Sequence, residues 1–478
     1  MKKYSWQLLI AMAAVAVIAS ACSSATPAAT AAPTEAATAA MTQAPTAAMT
    51  EAMTEAATAT QAASSDYLDR AMAGEFKGKT VTATGPFTDQ DAQKYNDTMK
   101  DFEDKTGITI QYQGSKEFEA SIKTAMDAGN APDIIDFPQP GLLATFAAQG
   151  KVVDLSKYLN KDTLTKNYNQ YWLDQSMMPG KDGSPIMAGV WERVNGKGFV
   201  YYPKAAFDKA GYKVPTTYDE LKTLMDQMVS DGTPPWCIGI ESGAATGWVA
   251  TDWIENNMLR TTTPENYDAW VAGKLKFSSP EVTHAAQLMA DIWTNPKYVY
   301  GGTQYVLKTS FGDSTLPMFD PKGPKCWMNM NGNFITSFFP ATAKAGVDYG
   351  VFYYPPIDPT YDDPVEVGGD IWAASTDRPE VIAVMEAYTS AAHLKSWLGA
   401  GGAIAPQKDV DLSWYGTDID REVGKAIVNA KTLRFDASDA MPGAVGAGTF
   451  WKEMTNFVAG SEDLKTALAN IDKSWPSQ

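Results

Sequence analysis

The feature that most constrains this 478-residue chain is an alternation of strand and helix signals behind a long N-terminal leader. Residues 80–84 alternate like a strand, and residues 92–102 carry apolar side chains at helical spacing. Strand-like residues 108–112, helix-like residues 118–126 and the short apolar run 134–135 follow. Strand, helix, strand, helix, strand at this spacing predicts a parallel sheet with crossover helices. Ligands of such sheets bind beyond the carboxyl ends of the strands.

A second stretch shows the same alternation without repeating the sequence. Residues 199–202 and 236–240 are strand-like, and residues 218–228 are helical. Ser279 and Pro280 form a helix start before another amphipathic stripe. About 410 residues follow the leader, which is more than one hydrophobic core usually organises. Two α/β lobes are therefore expected.

The leader is expected to lie outside the folded body. Two lysines precede an apolar run over residues 8–19, and small residues then lead to Cys22, which is typical of a secretory signal. Because the Cys directly follows the small residues, as in a bacterial lipobox, residues 1–22 are interpreted as a lipoprotein signal peptide that is lipidated on Cys22. An ordinary signal peptide with an incidental Cys is the alternative. Residues 23–65, rich in Ala, Thr and Pro and free of aromatic residues, are predicted to be a disordered tether.

The net charge limits which classes of partner are plausible, and the cysteine count bears on disulfide formation. Without Lys2 and Lys3 of the signal, 37 basic residues face 56 acidic ones, a net charge of −19. This balance disfavours nucleic acid and anionic membrane surfaces as partners. Cys237 and Cys326 remain as a pair in an exported chain, so a disulfide between them is expected. Two buried free thiols are the alternative.

Histidine is too scarce for the common His-based sites. Only His284 and His393 are present, both lie off the apolar stripes of their predicted helices, and both are expected to be solvated. A Ser-His-Asp triad and a His-rich zinc site are therefore disfavoured. Asp436 and Asp439 begin no calcium-loop pattern. No metal, no cofactor and no catalytic residue is predicted, although a hydrolase that uses two carboxylates stays open as an alternative.

Aromatic rings stand beside amides and carboxylates at the ends of several predicted strands. A sugar presents apolar C–H faces, which suit flat rings, and a rim of hydroxyls, which suits polar side chains. For any single Trp, burial in the core is the simpler alternative. The accumulation of such pairs at loops nevertheless favours a carbohydrate site. The candidate binding residues are Asp136, Gln139, Trp191, Glu192, Trp248, Asp252, Trp253, Asn331, Asn333, Asp370, Trp372 and Trp451.

Several motifs together resemble the family 1 extracellular solute-binding proteins of bacterial ABC importers. The segments Thr106-Gly107-Ile108, 129–134 and Gly368-Gly369-Asp370 carry the general resemblance. Four further segments resemble the α-glucoside-binding members of this family: residues 241–248, 250–253, 435–442 and 446–451. The similarity spans roughly residues 78–455.

The resemblance implies an α/β fold that is periplasmic-binding-protein-like, of type II, with two lobes joined by a hinge and the ligand in the cleft between them. The N-lobe would comprise residues 66–190 plus 366–400, and the C-lobe residues 191–365 plus 401–478. By the same resemblance, Glu192 bonds sugar hydroxyls, Asp136 and Gln139 face the ligand from the N-lobe, and Asn331 and Asn333 lie on a C-lobe cleft loop. Trp248, Trp253 and Trp451 would stack on the sugar, with Asp370 as a polar partner. Phe334 stands where maltodextrin-type relatives place a Trp.

The implied function is that of a receptor rather than an enzyme. Lobe closure would capture an oligosaccharide, an α-glucoside, and deliver it to the permease subunits of an ABC importer. The expected protein is a monomer, held at the membrane by its lipid anchor in the periplasm or on the outer surface. The alternatives are a receptor of the same fold for a polyol or another small solute, and a surface lipoprotein glycoside hydrolase.

Overall fold

A computed structural model of the chain describes residues 66–361, 364–430 and 432–476. The predicted signal peptide, the Cys22 lipidation site and the tether over residues 23–65 lie outside these ranges. Among the described residues, no helix combines the length and the apolar character needed to cross a membrane.

The described residues form eleven strands, and most of them are short. Their bounds are β1 Thr80–Gly85, β2 Thr109–Gly114, β3 Ile134–Phe137, β4 Met177–Pro179, β5 Pro185–Met187, β6 Val190–Gly196, β7 Phe199–Tyr202, β8 Asn329–Asn331, β9 Gly350–Tyr353, β10 Val365–Ala374 and β11 Leu433–Phe435.

Helices surround these strands. Their bounds are α1 Tyr67–Met72, α2 Asp89–Thr106, α3 Phe118–Asp127, α4 Pro140–Ala148, α5 Lys161–Asn167, α6 Gln170–Ser176, α7 Lys204–Ala210, α8 Tyr218–Ser230, α9 Trp248–Thr261, α10 Pro264–Val271, α11 Pro280–Trp293, α12 Gly302–Lys308, α13 Pro379–Ala387, α14 Lys395–Ala400, α15 Asp418–Asn429, α16 Ala437–Ala440, α17 Trp451–Val458 and α18 Leu464–Lys473.

The largest sheet has the order β11-β10-β3-β1-β2, with β6 also paired to β10. Strands β1, β2 and β3 are parallel, with α2 and α3 as the crossovers, which confirms the alternation predicted from the sequence. Strand β10 runs antiparallel to β3 and β6, so the complete sheet is mixed. All ten residues of β10 are buried, and the strand pairs with β3, β6 and β11.

A second sheet has β7 between β8 and β9, all antiparallel. The prediction of a strand over residues 236–240 is wrong. In this segment Trp236 makes only isolated bridges, to Val299 and Met328. The predicted disulfide is confirmed: Cys237 and Cys326 are bonded, with their Cα atoms 5.4 Å apart. The predicted helix start is also confirmed, since the Ser279 side chain accepts from the Val282 amide at the beginning of α11.

The hydrophobic core is divided into two clusters. One gathers around the large sheet and its helices, and the other around α9, α11 and the second sheet. This division gives two lobes of mixed α/β structure, as the length and the alternation predicted. The lobe boundaries at residues 190, 365 and 400 stay predictions.

Candidate functional site

A cleft of about 1140 Å³, including space open to solvent, is lined by segments from both core regions. Its charged lining residues are Asp89, Asp91, Lys116, Glu119, Arg193, Lys197, Glu241, Asp370 and Asp439. Its aromatic lining residues are Phe87, Trp248, Phe311, Phe334, Phe338 and Trp451. The cleft thus pairs flat apolar rings with many hydrogen-bonding groups.

One side of the cleft is built from the loops that follow the first three parallel strands. Pro86 and Phe87 follow β1, Ser115 and Lys116 follow β2, and Gln139 follows β3. Each of these loops leads into the next crossover helix. The site therefore lies beyond the carboxyl ends of the parallel strands, where the sequence pattern placed it.

Four half-buried rings form a continuous surface in the cleft, which we call the aromatic wall: Trp248, Phe311, Phe334 and Phe338. The ring centroid of Phe311 lies 5.1 Å from that of Trp248 and 4.9 Å from that of Phe338. Phe334 lies 5.8 Å from Trp248. Because the rings contact one another at their edges, their remaining faces and edges are available to the apolar face of a ligand.

Arg193 is held rigidly at the floor of the cleft. Its guanidinium carbon lies 4.4 Å from the ring centroid of Phe87 and 4.2 Å from that of Trp397. Its Nε donates to Asp370 at 2.7 Å, and its Nη2 lies 3.8 Å from Asp91. Two aromatic contacts and two carboxylates thus fix the orientation of the guanidinium fork.

Four buried polar atoms of cleft-lining residues have no hydrogen-bond partner within the described residues. They are one donor, Nη1 of Arg193, and three acceptors, Oδ1 of Asp91, Oε1 of Gln139 and Oδ1 of Asn195. Buried polar groups in folded proteins are nearly always paired, so unpaired ones call for an explanation. Ligand hydroxyls, which both donate and accept, would satisfy all four.

Burial shifts the acidity of two carboxyls in the cleft. It raises the pKa of the Glu119 carboxyl to about 7, and Glu119 Oε1 accepts from Gln139 Nε2 at 3.3 Å. Burial also raises the pKa of Asp370 to about 6, although the Arg193 guanidinium opposes this shift. Both groups therefore titrate close to neutral pH.

Lys197 connects the cleft to a group of buried carboxylates behind it. Its Nζ lies 5.4 Å from the ring centroid of Trp248, donates to Asp252 at 2.9 Å and also donates to Asp436. Burial alone would raise the pKa of Asp436, but the Lys197 ammonium lowers it to about 2. Lys197 is therefore held in place from behind while it lines the cleft.

The structure brings four of the twelve candidate residues to the cleft: Gln139, Trp248, Asp370 and Trp451. Trp451 is only 2% exposed, and its Nε1 donates to Ser438 Oγ at 3.0 Å. Its ring therefore supports the wall of the cleft more than it offers a free face. The other eight candidates are buried and stand outside the lining.

Three of these eight are tryptophans that the structure places in the core, which corrects the prediction that Trp191, Trp253 and Trp372 are binding residues and that Trp253 stacks on the sugar. Trp191 packs against Trp172 and Phe435, Trp253 packs against Trp236 and Trp293, and Trp372 stacks on Tyr95 at 5.1 Å. Each is at most 1% exposed. For these three tryptophans, the simpler alternative of burial in the core is therefore the correct one.

The five polar residues among the eight are also withdrawn from the cleft surface. Asp136 is fully buried without a hydrogen-bond partner in the described residues, and Asp252 is bonded to Lys197. Asn331 Oδ1 accepts from the Gly332 amide, and Asn333 Oδ1 from the Gly196 amide, both at 2.8 Å, so both hold backbone in place. The fifth, Glu192, is fully buried.

Glu192 faces the interior together with a histidine. Its Oε1 lies 3.2 Å from Nε2 of His393, whose side chain is only 4% exposed. The predicted solvated position of His393 is therefore wrong, because the turn at Ala391–Leu394 packs the ring against Tyr388. His284 is exposed, as predicted.

A β-bulge explains why the sequence pointed to Trp191 and Glu192 and missed Arg193. Asp370 of β10 pairs with Arg193, but the next residue of β10 pairs with Trp191, so Glu192 is skipped. An extra residue in one strand reverses the inside–outside alternation beyond it. Trp191 therefore faces the core while Arg193 faces the cleft.

The polar alternation Arg193, Asn195, Lys197 is the signal that could have identified this face of β6, since residues two apart in a strand share a face. Phe87, Phe311 and Phe338 carry no comparable signal, because they come from separate loops that only the tertiary fold brings together.

Comparisons with known proteins place the chain among solute receptors. A family model described as bacterial extracellular solute-binding protein matches residues 97–421. The osmoprotective compounds-binding protein GgtB of Synechocystis sp. is 39% identical over 404 residues, which are 84% of this chain and 94% of that protein. The alpha-glucosides-binding periplasmic protein AglE of Rhizobium meliloti is 37% identical over 411 residues, 84% of this chain and 88% of that protein.

Solved structures of similar shape have lower sequence identity. The bacterial solute receptor AcbH, described as having an exclusive preference for β-D-galactopyranose, aligns with a TM-score of 0.71 and 17% identity over 83% of this chain and 97% of that one. Maltose-bound MalE3 of T. maritima aligns with a TM-score of 0.64 and 16% identity over 83% of this chain and 98% of that one. These likenesses confirm the predicted fold, with two α/β lobes, a hinge and a cleft.

Proposed function

This chain belongs to the bacterial extracellular solute-binding proteins, and we propose that the solute it captures is an α-glucoside. The family indicates an exported receptor of a sugar ABC importer, and we propose that the chain has no enzymatic activity. The α-glucoside assignment rests on the cleft, where four buried polar atoms that have no partner among the described residues share one space with the aromatic wall. Rings against the C–H faces and polar groups against the hydroxyls match the surface of a sugar. The 37% identity with AglE supports the α-glucoside class.

Capture would proceed by closure of the lobes about the segments at the cleft floor. Gly368, Gly369 and Asp370 of β10 lie beside Arg193 and Asn195 of β6 in the lining. A ligand favours closure only if it binds the closed form better than the open one. Contacts to the aromatic wall and to the loops after β1, β2 and β3 at the same time would supply that difference.

A small polar solute, such as a polyol, is the second candidate, favoured by the 39% identity with a protein named for osmoprotective compounds. The same four polar atoms could form hydrogen bonds with the hydroxyls of either ligand. The aromatic wall discriminates between the two, because a linear polyol lacks the flat face of a sugar ring.

Isothermal titration calorimetry with maltose, trehalose, sucrose, longer α-glucans and a set of polyols tests the assignment. We expect binding of at least one α-glucoside with a Kd on the order of micromolar, and no release of reducing ends during the incubation. Binding of polyols alone would replace the α-glucoside by the second candidate. Release of new reducing ends would restore the glycoside hydrolase alternative.

We also propose that Cys22 carries a lipid anchor, that residues 23–65 act as the tether, and that the receptor is a monomer. Mass spectrometry of the mature N-terminus tests the anchor, and light scattering of the protein from residue 66 onward tests the monomer. Deletion of residues 23–65 tests the tether, since the shortened receptor should bind sugar unchanged but support less uptake. An unmodified Cys22, or a mass of twice the chain, would contradict them.

A further inference from the structure

Four carboxylates from three separate segments meet behind the floor of the cleft. Asp252 and Glu255 stand one turn apart on α9, Glu366 is on β10, and Asp436 directly precedes α16. One oxygen of each lies within 4.8 Å of one oxygen of the other three. We call this group the acidic cluster. None of its members is more than 5% exposed.

The charges of the acidic cluster are not balanced by the protein. Lys197 is the one cation that bonds to the cluster within the described ranges, through Asp252 and Asp436. Arg260 lies nearby: its Nε donates to the Tyr354 carbonyl and its Nη1 to Asn256, while its Nη2 has no hydrogen-bond partner in the described residues. Even with the Arg260 guanidinium counted beside the Lys197 ammonium, two cations face four buried carboxylates, and the negative surplus must be neutralised by protons or by another positive group.

Glu366 shows independently where that positive group belongs. Its side chain is fully buried, and neither of its oxygens has a hydrogen-bond partner in the described part of the chain. Oδ2 of Asp252 is likewise unpaired. Glu255, by contrast, accepts from the amides of Ala437 and Ser438, which fixes its orientation toward the other three. A buried carboxylate that points into a group of carboxylates without a donor is typical of a ligand for a cation.

The donor set selects the kind of cation. Four carboxylates offer only oxygen ligands, which hard divalent cations prefer, and oxygens within 4.8 Å of one another can surround a Ca²⁺ ion that holds each at about 2.4 Å. Mg²⁺ usually keeps several waters and takes only one or two carboxylates in near-octahedral geometry, so four buried carboxylates suit it less well. We propose that Asp252, Glu255, Glu366 and Asp436 bind one Ca²⁺ ion.

Such an ion would join three segments that also form the cleft. Helix α9 begins with Trp248 of the aromatic wall, β10 carries Asp370, and Lys197 lies between the acidic cluster and the cleft. The ion would therefore stabilise the floor of the cleft without contacting the solute. The inference does not depend on which solute is bound.

Calcium binding to the purified receptor tests the proposal directly. After dialysis against a chelator, calorimetry and elemental analysis should find one Ca²⁺ per chain, with a Kd of about 0.1–1 mM or tighter, as in extracellular calcium modules. Saturating Ca²⁺ should raise the Tm by at least about 3 °C. Glu366→Gln should lose the ion, whereas Glu119→Gln, which changes a carboxyl of the cleft outside the cluster, should keep it.

The variant also separates calcium binding from simple misfolding. In chelator, Glu366→Gln should melt above the wild type, because it removes one uncompensated charge, and in saturating Ca²⁺ the order should reverse. No bound Ca²⁺ and equal wild-type Tm values in chelator and in Ca²⁺ would overturn the proposal and leave protons to balance the cluster. Binding that survives in a folded Glu366→Gln would also overturn it.

Discussion

Arg193 is the residue on which the polar side of the cleft depends most. It supplies the unpaired donor Nη1 and at the same time holds Asp370 and Asp91 in place. A single substitution there would disturb affinity and folding together, since removal of one partner leaves a buried charge uncompensated. Cleaner tests at the residue scale use side chains that line the cleft without supporting its core.

Trp248→Ala is the first of these tests. Removing the half-buried ring from the aromatic wall should weaken sugar binding by at least roughly tenfold, about 1.4 kcal/mol, because its contact with the sugar face is lost. Trp414 is also half-buried but stands outside the cleft lining, so Trp414→Ala is the matched control and should leave the affinity unchanged. Equal effects of the two substitutions, measured by calorimetry, would contradict the site.

The pH dependence of stability tests Glu119. Its pKa is about 7 in the folded protein against an ordinary value of 4.5, so between these values the folded state retains a proton that the unfolded state has lost. The free energy of unfolding should therefore fall as pH rises from about 4.5 to 7, by at most about 3 kcal/mol for this group. Glu119→Gln should reduce that fall in chemical denaturation measured at each pH.

Affinity should follow the same titration. An ionised Glu119 accepts more strongly from ligand hydroxyls than a protonated one, so sugar affinity should rise severalfold between about pH 6 and 8. In Glu119→Gln the rise should be smaller and should end at lower pH, because only Asp370, with a pKa of about 6, still titrates in the cleft. Burial also raises the pKa of Glu386 to about 7, but its Oε2 accepts from the Leu68 amide outside the cleft. Glu386→Gln should change only the stability profile. An affinity profile as steep in Glu119→Gln as in the wild type would contradict the role of this residue.

Chemistry at the residue scale was partly readable from the sequence. Gln139 is predicted because it follows the third strand of the parallel pattern, and Asp370 because it stands near Trp372 in a motif of the resembled family. Trp372 and Trp253 were assigned to the ligand because a ring beside a polar residue looks the same in a cleft and in a core. Burial decides between the two, and burial is a property of the whole fold.

At the scale of elements, the disulfide is the feature with the clearest energetic consequence. It joins positions 89 residues apart and connects the segment before α9 to the one before β8. Replacing both cysteines by Ala should lower stability by about 2–5 kcal/mol, with a lower Tm in calorimetry. Sugar affinity should change less than about twofold, because neither cysteine lines the cleft. Reductant should lower the Tm of the wild type and leave the double variant unaffected.

Strong local periodicity made the first elements predictable. Strands β1, β2 and β3 and helices α2 and α3 lie within a few residues of their predicted positions, because apolar spacing and glycine stops define them. The strand prediction for residues 236–240 is wrong because an apolar run can also be buried as an irregular segment. Here single bridges and a disulfide hold that segment in place. The bulge at Glu192 left no mark in the sequence.

At the scale of the whole molecule, closure of the lobes is the movement that the proposed function requires. The radius of gyration of the folded part should be about 22 Å and should decrease by about 1 Å on addition of a bound α-glucoside. Small-angle X-ray scattering measures both values. Trp248→Ala at the same sugar concentration should remain open, and an unchanged radius in the saturated wild type would contradict closure.

The two-lobed plan was the most predictable property of the molecule, since chain length, alternation and motif resemblance all indicate it. The acidic cluster was the least predictable. Its four residues are spread from Asp252 to Asp436, so no local spacing rule of the calcium-loop kind applies to them.

The skipped residue in β6 has an evolutionary consequence. Substitutions in the cleft change one contact at a time, but deletion of Glu192 would restore regular pairing with β10 while Asp370 still pairs with Arg193 and Ile371 with Trp191. The guanidinium would stay at the floor of the cleft and the indole in the core, and the buried contact between Glu192 and His393 would be lost. A lineage could therefore shorten β6 at this position in a single genetic event and keep its cargo site.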